Sequence, residues 1–125
     1  MSEVTIDLIE RLVAKYPRLK SIFDEHVSDN FGEVLPHLFF GDLSRYVIAR
    51  LLDVESGVGP KHAEAERELR ALLNDLEDAY ATGVEEIQEL ISVSFLENLP
   101  RPGEEASGVR AWLGPELAAQ MRVIG

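Results

Sequence analysis

The chain has no cysteine among its 125 residues, which excludes disulfides, thiol catalysis and thiolate metal sites. It also lacks any apolar run close to the ~20 residues that a membrane-spanning helix requires. The first residues, MSEVTIDLIERL, do not combine a basic region with the continuous apolar region of a secretory signal. We therefore expect a soluble protein that stays in the cytoplasm.

Basic side chains are scarce relative to acidic ones. The sequence has 12 Lys and Arg residues against 23 Asp and Glu residues, for a formal net charge of -11 at pH 7. A charge of this sign repels the phosphates of nucleic acids and anionic membrane surfaces. We expect neither nucleic acid nor membrane as a partner, and any charged protein partner should be basic.

Strand patterns are also missing, since no segment alternates apolar and polar residues over a sustained run. Helical spacing of the apolar residues instead predicts an all-α fold of about six or seven helices. The length fits a single helical domain over residues 1–125. Frequent proline corners favour a compact orthogonal bundle or a short stack of helix pairs over a long four-helix bundle.

Prolines and glycines delimit the predicted helices. The segment 82–99 is the most apolar stretch of helix length, with a second half that is apolar on nearly all sides, so we expect it at the centre. Glu33–Phe40 is predicted to be a turn or short helical piece, followed by a break at Gly41 and a cap at Asp42. A hinge is predicted at residues 56–60. The predicted helices are Val4–Tyr16, Pro17 to the Asn30-Phe31-Gly32 stop, Leu43–Val54, Lys61–Tyr80, Thr82–Leu99, Val109–Leu113 and Glu116–Val123.

Histidine, carboxylate and glycine cluster in one segment, LPHLFFGD at residues 35–42. Across the predicted break at Gly41, Asp42 would orient the imidazole of His37 for base catalysis or metal binding. In the structural alternative, Asp42 caps the next helix and His37 makes a hydrogen bond at a turn. We favour this alternative, because no serine, cysteine or second carboxylate lies at a diagnostic spacing.

The other two histidines are also assigned structural roles. His26 lies on the apolar face of the second helix, which favours a packed ring bonded to a backbone or carboxylate group. His62 lies in the first turn of its helix and should be neutral and exposed. The sequence contains no metal-binding, phosphate-loop, dinucleotide-binding or nucleophile-elbow motif. We therefore expect no cofactor, no metal and no enzyme activity.

Residues 71–100 contain no lysine or arginine but many acidic side chains. One interpretation is a solvated face that keeps the protein soluble. The other is a docking surface for a basic partner, whose association a complementary field would accelerate. The side chains assigned to this surface are Asp75, Asp78, Glu85, Glu86 and Glu89.

Three segments, LPHLFFGDLSRYV, ISVSFLENLP and WLGPEL, resemble a family of short, acidic, helical bacterial proteins of uncharacterised function. The resemblance spans most of the chain. Proteins of this kind look like the immunity proteins that neutralise bacterial toxins. The resemblance implies no catalytic residues that can be carried over to this sequence.

Three hypotheses for the function follow. The leading one is a non-enzymatic protein-binding module, a toxin-immunity protein that occludes a basic partner such as a nuclease. The second is a small helical enzyme or metal-binding protein that uses His37 and Asp42. The third is a helical scaffold that works as a homodimer.

Overall fold

A computed structural model describes residues 3–57 and 59–124. Within these residues the backbone forms six α-helices and two 3-10 helices, and no strand. The all-α class and the compact helical bundle are therefore confirmed. The α-helices are α1 (Glu3–Lys15), α2 (Leu19–Asp29), α3 (Pro36–Ser56), α4 (Gly59–Ala81), α5 (Glu85–Ser94) and α6 (Pro115–Ile124), and the 3-10 helices are Leu96–Asn98 and Ser107–Trp112.

The buried apolar side chains form one core to which all six α-helices contribute. Helix α3 lies at its centre, because it packs against α1, α2, α4, α5 and the 3-10 helix at 96–98. Helix α5 packs against α1, α3 and α4. Its Val93 is 47% exposed, however, so the prediction that other elements cover this helix on nearly all sides was wrong. None of the described helices has the length and apolar character needed to cross a bilayer.

Gly41 does not interrupt α3, so the predicted break at this residue and the predicted cap at Asp42 were wrong. The helix begins at Pro36, whose fixed φ suits the first helical position, and continues to Ser56. A glycine inside a helix costs about 1 kcal/mol relative to alanine. Complete burial of Phe39 and Phe40 outweighs this cost, because each ring contributes about 1.5–3 kcal/mol.

Helix α5 ends at Ser94, earlier than the predicted end at Leu99. The side-chain amide of Asn98 donates to the Ser94 carbonyl oxygen at 2.8 Å and so competes with continued helical bonding. Leu99 is extended, with φ -78° and ψ 150°, as expected for a residue that precedes a proline. Phe95 lies at the bend between the two helices and is completely buried.

The predicted hinge at residues 56–60 falls at the junction of α3 and α4. Helix α3 ends at Ser56, and Gly57 follows with φ +68°, a left-handed conformation that favours glycine. Val58 of the predicted hinge lies outside the described residues. At the other end of α4, a short turn leads into α5, and these two helices pack against each other as a helical hairpin.

Candidate functional site

We define the acidic hairpin as Asp75 and Asp78 on α4 with Glu85, Glu86 and Glu89 on α5. Four of these side chains, all except Asp75, are exposed. None of the four makes an ion pair or hydrogen bond through its carboxylate with another described residue. The hairpin therefore presents four carboxylates that have no charged or hydrogen-bonded partner among the described residues.

Asp75 lies in a different environment, facing α1. Its Oδ2 accepts a hydrogen bond of 2.5 Å from the Tyr16 hydroxyl, and the Lys15 Nζ lies 2.8 Å from the same oxygen. Burial of Tyr16 and its hydrogen bond to this carboxylate raise the pKa of the phenol. Asp75 is therefore part of the α1–α4 interface and is not a free docking charge.

Glu77 is a second carboxylate of α4 that is used inside the fold. It is buried, and its two oxygens accept hydrogen bonds of 2.9 and 3.0 Å from the backbone N–H groups of Glu116 and Leu117. A negative side chain at this position satisfies N–H groups that the start of α6 leaves unpaired and complements the helix dipole. A Cβ atom at Gly114 would lie 2.6 Å from the Glu77 carboxyl group, so a side chain at this position would force that carboxyl group to move.

His37 forms a hydrogen bond with Ser94, a residue that no sequence pattern links to it. Its Nδ1 is hydrogen-bonded to the hydroxyl oxygen of Ser94, the last residue of α5. The His37 side chain is otherwise exposed, whereas Ser94 is buried. Because 57 residues separate the two in the chain, no local spacing predicts this pair.

A serine–histidine pair supports nucleophilic catalysis when an acid orients the histidine and donors stabilise an oxyanion. Among the described residues, none bonds to the Nε2 of His37. Asp42 is five residues further along the continuous helix, so its side chain leaves the helix about 140° away from that of His37. The Asp42 carboxylate is paired with Arg45. Ser94 lies at the negative end of the α5 dipole, which disfavours an oxyanion. The structure therefore does not bring His37 and Asp42 together, and the pair with Ser94 joins α3 to α5.

The remaining histidines also join elements of the fold. His26 is buried, and its Nε2 accepts a hydrogen bond of 2.9 Å from the backbone N–H of Leu35, so the predicted packed histidine is confirmed. His62 is half-buried, and its Nδ1 lies 2.7 Å from the Val54 carbonyl oxygen, which ties the start of α4 to the end of α3. The prediction that His62 is exposed was wrong. Over residues 3–57 and 59–124, no group of three histidines or carboxylates is placed to hold a metal ion.

A family model described as "Domain of unknown function (DUF7674)" matches residues 9–123. The chain belongs to this family. The match runs from α1 into α6 and includes the acidic hairpin and His37. The predicted membership of an uncharacterised family is thus confirmed. No curated protein and no solved structure matches the chain.

A second acidic region of this DUF7674 chain surrounds the turn between α2 and α3. Residues 21–44 contain no lysine or arginine and five acidic residues, Asp24, Glu25, Asp29, Glu33 and Asp42. Asp24 is paired with Lys20 and Asp42 with Arg45, while the other three are exposed and make no ion pair with another described residue. Glu25, Asp29 and Asp42 line one cleft of about 370 Å³ together with Arg45. Sequence reasoning missed this region, although a search for long stretches without basic residues would have found it.

Proposed function

We propose that this protein is a non-enzymatic, cytoplasmic binding module that occludes a basic protein partner, and that the partner is a toxin. The observation that carries this proposal is the row of free carboxylates on the acidic hairpin. The segment that contains them, residues 71–100, has no lysine or arginine to neutralise the field. Complementary fields of this kind steer a basic protein toward the surface and raise its association rate.

The location of the charges predicts how binding depends on salt. Asp78, Glu85, Glu86 and Glu89 are exposed, so their field extends into solvent and is screened over about 8 Å at physiological ionic strength. Exposed charges act mainly on association, whereas desolvated contacts act mainly on dissociation. We therefore expect the association rate to fall as salt is raised, with little change in the dissociation rate.

In the first experiment this chain is co-expressed with a neighbouring gene. The measurement is whether the chain relieves growth arrest caused by the product of that gene. Binding of that gene product, or of a basic protein isolated by pull-down from the native host, is then measured at two salt concentrations. A fourfold variant carries Asp78→Lys, Glu85→Lys, Glu86→Lys and Glu89→Lys. Asp75 is left unchanged, because its reversal would break the contacts with Tyr16 and Lys15. We expect association to slow by at least about tenfold.

The matched control reverses four exposed acids elsewhere, Asp7→Lys, Glu10→Lys, Glu55→Lys and Glu105→Lys. Both variants change the net charge by the same amount, so they differ only in where the charge lies. Equal slowing in the two variants would mean that net charge, and not the hairpin, controls association. An unchanged association rate in the hairpin variant would make the hairpin a solvated face only.

A further inference from the structure

Phe31, in the turn between α2 and α3, is the most exposed of the large apolar side chains in the described part of the chain. Its side chain is 99% exposed, so it contributes nothing to the core. Its backbone is in the left-handed region, with φ +56°, and Gly32 follows with φ +86°. A side chain with a Cβ atom is sterically disfavoured in that region relative to glycine. Neither packing nor backbone preference therefore accounts for phenylalanine at this position.

The turn that carries Phe31 is held by hydrogen bonds on both sides. The N–H of Gly32 donates to the Val27 carbonyl oxygen at 2.8 Å, closing the end of α2. The N–H of Glu33 donates to Asn30, and the N–H of Leu35 donates to the buried His26 ring at 2.9 Å. An aromatic side chain on a fixed backbone loses little entropy on binding, which is the property of an interface anchor.

The charges around Phe31 identify the class of protein that fits against it. Asp29 and Glu33 lie two residues before and after it, and both are exposed and free of ion pairs with described residues. Along the sequence the nearest lysine and arginine are Lys20 and Arg45, and Arg45, which is paired with Asp42, lines the same cleft as Asp29. A second copy of this chain would bring like charges together, which opposes association, whereas a basic partner would be attracted.

We propose that the α2–α3 turn is the anchor for the basic partner, with Phe31 inserted into an apolar socket whose rim carries lysine or arginine. This inference rests on the proposed function, because it names where the partner docks. It assigns different tasks to the two acidic regions. The acidic hairpin accelerates encounter, and the α2–α3 turn slows dissociation.

Site-specific photocrosslinking in the native host tests the position of the anchor. The photoreactive residue p-benzoylphenylalanine is placed at position 31, at position 86 on the acidic hairpin, or at position 123 on α6. Val123 is a suitable control, because it is apolar and 78% exposed but lies outside both acidic regions. We expect position 31, and not position 123, to crosslink to a basic protein that mass spectrometry identifies.

Each other result contradicts the inference in a distinct way. A crosslink at position 86 without one at position 31 would overturn the anchor and leave the proposed function standing. The absence of crosslinks at both acidic regions would overturn both proposals. A neutral or acidic protein at position 31, a second copy of this chain there, or equal crosslinking at position 123 would also overturn the anchor.

The identified protein is then purified, and its binding to Phe31→Gly is measured. Glycine is preferred at this backbone conformation, so the variant should stay folded and melt at a higher temperature. We expect the Kd to rise at least about 30-fold through faster dissociation, as for an interface hot spot. Val123→Ser, as control, should leave the Kd unchanged. A Kd for Phe31→Gly within about threefold of the unmodified protein would overturn the proposal.

Discussion

The acidic hairpin and the α2–α3 turn both lie in segments without lysine or arginine and both present free carboxylates, but the segment of the hairpin also contains carboxylates that are used inside the fold. Helix α4 uses Asp75 to bind α1 and Glu77 to hold the start of α6. At the α2–α3 turn, Asp29 and Glu33 remain free on either side of an exposed aromatic ring. An acidic stretch in a sequence is therefore not one surface, because the position of each carboxylate on its helix decides whether it stabilises the fold or faces solvent.

Helix α5 connects these two regions. Its first turn carries Glu85 and Glu86 of the acidic hairpin, and its last residue, Ser94, is bonded to His37 at the start of α3. That start of α3 directly follows the α2–α3 turn. The packing at the end of α5 therefore holds the backbone that carries both regions in place.

The largest expected effect comes from Phe95→Ala, which removes a completely buried ring at the end of α5. We expect a loss of about 3–5 kcal/mol in the free energy of unfolding, because of lost burial and a residual cavity. Chemical denaturation measures this change. Val93→Ala, on the more exposed side of α5, is the control and should cost much less. A loss below about 1 kcal/mol for Phe95→Ala would mean that packing at this end of α5 does not hold the two regions in place.

Next in size is Glu77→Ala, which tests the structural use of a carboxylate in α4. We expect a loss of about 2–3 kcal/mol, because two backbone N–H groups of α6 lose a charged acceptor. The adjacent substitution Asp78→Ala should change stability by less than about 0.5 kcal/mol, since its side chain is exposed. Equal losses for the two variants would remove the distinction between structural and free carboxylates.

High pH offers a second test of the α4 contacts. Burial, followed by the hydrogen bonds that their hydroxyls donate to Asp75 and Glu68, raises the pKa of Tyr16 and Tyr46 respectively. Each tyrosine then contributes stability that is fully present below its unfolded pKa of about 10 and is lost as pH rises toward its folded pKa. We expect stability to fall above pH ~10 by up to about 1.4 kcal/mol per pH unit for each tyrosine.

Tyr16→Phe and Tyr46→Phe serve as the matched variants in that experiment. Each should be less stable near neutral pH, because it lacks the hydrogen bond, yet each should show a shallower loss between pH 10 and 11. Denaturation at several pH values measures the slope. The same slope in Tyr16→Phe as in the unmodified protein would contradict the assignment of the Asp75 bond to the fold.

A smaller effect of opposite sign is expected at the α2–α3 turn. Phe31→Gly should stabilise the protein by about 1 kcal/mol, because glycine adopts a positive φ without steric cost. Phe31→Ala is the control: it removes the ring but keeps a Cβ in the left-handed region, so stability should stay within about 0.5 kcal/mol. Destabilisation by both substitutions would show that the ring supports the fold.

The smallest effect is expected from His37→Ala. The exposed ring is lost together with its bond to Ser94, which should cost about 0.5–1 kcal/mol. Binding of the partner, and any chemical turnover, should remain unchanged in the folded variant. Denaturation and calorimetric binding check the two parts. A turnover assay that fails in a well-folded His37→Ala protein would reverse the assignment of this residue to structure.

Sequence periodicity determined those features that depend on neighbouring residues. Apolar residues repeat at helical spacing, so the all-α class and most helix positions were predictable. The same spacing identified four free carboxylates of the acidic hairpin and the packed ring of His26. Each of these features follows from which side of a single helix a residue occupies, and that information is local.

Tertiary contacts decided the rest. Burial of Phe39 and Phe40 keeps α3 continuous through Gly41, although the local cost of glycine predicts a break. Glu77 finds its partners 39 and 40 residues later in the chain, and His37 finds Ser94 57 residues later. No local pattern contains such pairings, because they form only when separate helices pack around one core and bring their polar groups to the same point.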